Sequence, residues 1–133
     1  MEAQNNQYKP GLSIGIHLVT ITKIVLGKTL TSKFPYFKCK FENEQGWFFQ
    51  KFVLYPKEGS TKFIKKLFLA AGAYTDTINP SDLLGKELAI YIKLGNVIDF
   101  LTGEIIGSKE VCVYFESVGE YECSLIRSSR IAI

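Results

Sequence analysis

Residues 35–42, Pro-Tyr-Phe-Lys-Cys-Lys-Phe-Glu, alternate between two chemistries, with Phe37, Cys39 and Phe41 on one side and Tyr36, Lys38 and Lys40 on the other. A period of two suits a pleated strand with one buried face and gives a helix no continuous apolar stripe. This segment therefore predicts a strand, and its apolar side predicts a core beneath it. Asn43-Glu44-Gln45-Gly46 reads as a short turn, with glycine available for a positive φ. Trp47 to Tyr55 resumes as an aromatic-rich strand and completes a hairpin. A core has no place for Lys51, so the same period puts Trp47, Phe49, Val53 and Tyr55 on its outward side. Phe48, Phe52 and Leu54, with the odd Gln50 among them, are expected to face inward.

The segments around this hairpin extend the pattern. Residues 1–14 read as a flexible, polar lead-in. Ile16 to Leu26 is rich in Ile, Val and Thr, whose branched carbons favour a strand. Gly27 to Pro35, carrying Lys28 and Lys33, predicts a mobile basic loop. After a break at 56–59, Ser60 stands where a helix N-cap belongs. The helix then runs to about Ala71, burying Phe63, Ile64, Leu67 and Phe68 and exposing Lys62, Lys65 and Lys66. Gly72 is its expected terminator. Asn79 to Gly85 reads as one helical turn, Lys86 to Leu94 as a fourth strand and Val111 to Val118 as a fifth. Gly95 to Lys109 is expected to be a small hairpin inserted as a long loop. The tail 119–133 reads as a docking strand or a frayed end.

Three strands, a helix and two further strands are the element order of the OB-fold, a five-stranded Greek-key barrel. The expected architecture is mainly β: one OB-fold domain over 15–118, with one helix between strands 3 and 4 and a long strand 4–5 insertion. At 133 residues the chain is long enough to bury a core without staples.

Several function classes lack their parts. No apolar run approaches the roughly 20 residues that a membrane span needs, and the first residues lack the basic and apolar regions of a signal peptide. The sequence thus predicts a cytoplasmic chain with no membrane partner. Cys39, Cys112 and Cys123 are odd in number and widely spaced, which fits neither a disulfide framework nor a zinc site. The sole histidine, His17, falls in strand periodicity and reads as a satisfied, partly buried side chain. Asp99 and Glu104 flank a glycine turn, where solvation accounts for them. No nucleophile elbow, HExxH, P-loop or GxGxxG motif occurs. The expectation is a protein that is not an enzyme and that takes no cofactor and no metal.

Charge and aromatics point elsewhere. Residues 1–66 hold eleven lysines against four acids, a balance of +7, and residues 67–133 hold five Lys or Arg against nine acids, a balance of −4. Such asymmetry points to a polyanionic partner. On the outward side of the hairpin, Tyr36, Lys38 and Lys40 would sit beside Trp47, Phe49 and Lys51. Unpaired bases stack on aromatic rings while ammonium groups take the phosphates, and each stacked base contributes about 1–3 kcal/mol. The alternative is that Tyr36, Trp47 and Phe49 are covered by the tail or by a partner subunit. The interleaved lysines favour a ligand surface, because interface centres are depleted in lysine. Lys28 and Lys33 read either as phosphate contacts or as ordinary solvated loop lysines.

The chain also resembles a family of phage-encoded single-stranded DNA-binding proteins, long treated as a domain of unknown function. The resemblance runs from about Gly15 to Val118 and rests on Gly15-Ile16-His17-Leu18-Val19-Thr20-Ile21-Thr22-Lys23, on Phe37-Lys38-Cys39-Lys40-Phe41-Glu42, and on the helix Phe63 to Gly72 followed by Asp82-Leu83-Leu84-Gly85-Lys86-Glu87-Leu88. It implies an OB-fold that protects unpaired DNA, with little sequence preference, during phage or mobile-element replication and recombination in the host cytoplasm. An RNA ligand, a homo-oligomer, a replication or recombination partner, and a non-catalytic protein-interaction module are the alternatives that the sequence leaves open.

Overall fold

The computed structural model describes residues 11–28, 34–55, 58–99 and 101–131. Strands β1 (Gly15–Lys28), β2 (Pro35–Glu42), β3 (Trp47–Val53), β4 (Glu87–Ile98) and β5 (Ile105–Glu116) form one antiparallel sheet in the order β3-β2-β1-β4-β5. Helix α1 (Glu58–Ala70) and a short 3-10 turn (Pro80–Leu83) lie between β3 and β4, and helix α2 (Val118–Ile131) follows β5.

The sheet is not closed into a barrel, because β3 and β5 share no ladder among the described residues. The two edges still approach each other through side chains. Gln50 Oε1 accepts the backbone N–H of Cys112 at 3.3 Å, and the Phe52 and Phe115 rings lie 6.0 Å apart. A side chain thus occupies a donor that a closing ladder would have used.

One apolar core fills one side of the sheet. Val19, Ile21, Phe37, Cys39, Phe41, Phe48, Phe52, Leu88, Ile90 and Ile92 from the strands pack with Ile64, Leu67 and Phe68 of α1. Phe37 stacks on Phe52 at 5.1 Å and meets Phe68 edge-on at 6.2 Å, which ties β2, β3 and the helix together. Leu12, from the segment that reads as a lead-in, is also core, and its N–H donates to Trp47 O at 2.8 Å. Leu54 is not core: it falls one residue beyond β3, where the alternation no longer governs, and is 36 % exposed.

Several boundaries differ from those the residues suggest, each for a local reason. The helix α1 starts at Glu58, not after Ser60, with an acid in its first turn and a Glu58–Lys62 pair at 3.1 Å. Its end is a Schellman motif: Gly72 has φ +70°, Ala73 N–H donates to Phe68 O and Gly72 N–H to Leu69 O. Residues 95–109 are no separate insertion. They continue β4 and β5 into one long hairpin, turned at Asp99, whose N–H donates to Glu104 O. Through residue 131 the tail is neither a strand nor a frayed end but α2, capped by Ser117, whose Oγ accepts the Glu120 N–H at 3.2 Å. No helix among the described residues is long and apolar enough to cross a membrane.

Candidate nucleic-acid interface

The register of the β2–β3 hairpin sets four outward pairs side by side: Tyr36 with Val53, Lys38 with Lys51, Lys40 with Phe49, and Glu42 with Trp47. Directly opposed residues in an antiparallel pair share a face. The structure therefore brings Tyr36, Lys38, Lys40, Trp47, Phe49 and Lys51 together on the side away from the core. Phe37, Cys39, Phe41, Phe48 and Phe52 are buried behind them.

Strand β1 adds a row that sequence periodicity does not show. A bulge between Ile21 and Lys23 inserts one residue, after which Lys23 pairs with Lys40, Val25 with Lys38 and Gly27 with Tyr36. Before the bulge the odd residues Val19 and Ile21 face the core, whereas after it Ile24 packs there and Lys23 turns outward. The same parity change moves Lys28, paired with Pro35, to the core side at the exposed end of β1. Lys28 is thus not part of this face, and Lys33 lies outside the described residues.

Rings and cations interleave closely on the surface. Trp47 and Phe49, 36 % and 40 % exposed, meet edge-on at 5.7 Å. The Lys40 ammonium stands 5.9 Å from the centre of the Phe49 ring, and the Lys51 ammonium lies 4.4 Å over Tyr36. Two pairs of like charge, Lys38 opposite Lys51 and Lys23 opposite Lys40, are held across adjacent strands. Like charges directly opposite each other destabilise a sheet. Glu42 offsets part of this, 3.8 Å from Lys40.

The face is electrostatically graded along its strands. Around Lys38 and Lys51 a groove of about 270 Å³ opens onto the β3–β5 seam, where Phe49 of β3 and Lys109 and Glu110 of β5 also line it, three lysines against one acid. Lys109 comes from the acidic half of the chain, so no count along the sequence assigns it here. Beyond Trp47 the character reverses: Glu42, Glu44 and Glu87 line a larger groove with His17 and Tyr121 of α2. His17 is satisfied there, its Nε2 hydrogen-bonded to Ser13 O at 2.7 Å.

The remaining reactive groups lie elsewhere. Burial pushes the Cys39 thiol up to about 12 and the Cys112 thiol up to about 11, so both are protonated and inert. Cys123 is exposed on α2. Lys62, Lys65 and Lys66 are solvated on α1, with Lys65 over Tyr74 at 5.2 Å. Among the described residues, no group of three His, Cys, Asp or Glu could hold a metal ion. No protein-family model matches the chain, and no curated protein matches it either.

Proposed function

We propose that the chain is a non-enzymatic single-stranded DNA-binding domain with little sequence preference, of the OB type. The observation that carries this reading is the pair of lysine–lysine neighbours, Lys23/Lys40 and Lys38/Lys51, held among Tyr36, Trp47 and Phe49. A surface selected only for stability would separate those charges. A polyanion relieves them, and its unpaired bases take the ring faces. The acidic groove beyond Trp47 favours a path across the strands, from Lys23 over Lys38 and Lys51 to Lys109, over one along them. The helix between β3 and β4, and the approach of β3 to β5 through Gln50 and Phe52, support an OB barrel left open at one seam. Work in phage or mobile-element replication and recombination is what the resemblance implies for such a domain.

Titration of a fluorescent oligo-dT against salt tests this. Neutralisation of about five phosphates gives a log–log slope near −3.5. Trp47 emission is quenched on binding. A flat salt response, or equal affinity for a duplex, sinks the proposal, and a matched oligo-U tests RNA as the ligand.

A second reading, a protein-interaction module, is favoured by the apolar residues Leu94, Leu101, Ile105 and Ile106 exposed along the β4–β5 hairpin. Sedimentation tests its self-associating form: a monomer at all concentrations counts against it.

A further inference from the structure

Gly27 sits at the end of the proposed interface where β1 meets the start of β2, with no backbone reason to be glycine. Its φ is not among the positive values, which belong to Gly15, Gly72, Gly85 and Gly103, and glycine weakens a strand interior. Its neighbour across the ladder is Tyr36. A Cβ placed on Gly27 would stand 2.6 Å from both Cζ and Oη of Tyr36 and 3.0 Å from Cε2, closer than any side chain tolerates. The ring therefore lies down across β1, on the space that a side chain would fill. A tyrosine laid over a strand glycine also steadies a sheet, but here the ring carries something more. The Lys51 ammonium, reaching from β3 on the far side of β2, lies over the ring 4.4 Å from its centre.

We infer that Gly27 is the positioning residue of a one-nucleotide subsite formed by Tyr36 and Lys51, an inference that rests on the single-strand reading above. With Gly27 beneath it, Tyr36 turns a face rather than an edge to solvent. That face is what a base stacks on, and the cation now parked there is what the flanking phosphate attracts. On binding, the base displaces the ammonium from the ring and the ammonium moves to the phosphate. The ligand class is an unpaired nucleotide within a strand; a paired base has no free face to offer.

The test uses the full chain with Gly27→Ala, Tyr36→Ala and the double variant, each titrated with oligo-dT at fixed salt. Gly27→Ala lifts the ring, so binding weakens roughly 5- to 150-fold, the range for losing one stacked base. Tyr36→Ala weakens it to a similar extent, and Gly27→Ala adds nothing further in the Tyr36→Ala background, where no ring remains to be lifted. A purely structural role for the pair would leave affinity unchanged while altering thermal stability. The seat itself is read without ligand: the Gly27 Hα resonances are shifted upfield by the ring in the unsubstituted protein and return in Tyr36→Ala. Gly27→Ala binding as tightly as the unsubstituted protein, or two losses that multiply, overturns the inference alone. Unsubstituted protein that binds no oligo-dT overturns the single-strand reading, and the subsite falls with it.

Discussion

Gln50 of β3 accepts the backbone N–H of Cys112 of β5 at 3.3 Å, across a seam where the two strands share no ladder. The only polar residue on the inward-reading side of β3 thus serves as the link between the edges of the sheet. Gln50→Leu removes that acceptor and leaves a part-buried N–H without it. The expected loss is about 1–3 kcal/mol in chemical denaturation, accompanied by faster hydrogen exchange at the Cys112 amide. Unchanged exchange there would show that the seam is held by the Phe52–Phe115 contact alone.

The outward lysines act additively if they meet separate phosphates. Lys38→Ala, Lys40→Ala and Lys51→Ala should each reduce the magnitude of the oligo-dT salt slope by about 0.7. Lys23→Ala should do the same, because the bulge in β1 places it opposite Lys40. Lys28→Ala should change the slope least, since the register puts Lys28 on the other side.

The three thiols separate by reactivity. At pH 8 a thiol reagent is expected to modify Cys123 alone, and all three after denaturation. Cys39 and Cys112 hold their protons more tightly in the folded chain than at their ordinary value of 9.0. Their contribution to stability is complete below that value and is lost as pH rises through 9 toward 11 and 12. Denaturation midpoints measured from pH 8 to 10.5 should fall less steeply in a Cys39→Ala, Cys112→Ala variant than in the unsubstituted protein.

The last helix depends on its cap. Ser117 accepts the Glu120 N–H at 3.2 Å, and its hydroxyl donates to the Glu120 carboxylate at 3.1 Å. Ser117→Ala should cost about 1 kcal/mol. Because α2 packs on β4 and β5, the loss should be visible as faster amide exchange in the first turn of α2 and unchanged exchange in β2.

Local chain geometry made the hairpin legible. A strand with one buried face must alternate, so Phe37, Cys39 and Phe41 were assignable to the core and Tyr36, Lys38 and Lys40 to the outside from residues 35–42 alone. The Schellman glycine Gly72 was equally readable, since it needs only the helix it ends. The cap of α2 is also local, a Ser117-Val118-Gly119-Glu120 capping box in which the serine and the glutamate three residues on answer each other. Other features have no local signature. The bulge that turns Lys23 outward and Lys28 away depends on how β1 meets β2. The recruitment of Lys109 depends on β5 lying beside β3, and the role of Gly27 depends on which ring crosses it. Alternation is set by the covalent pleat and the hydrophobic effect, acting on each strand by itself. Register, seam and ring seat are relations between strands distant in sequence, decided only when the sheet is assembled.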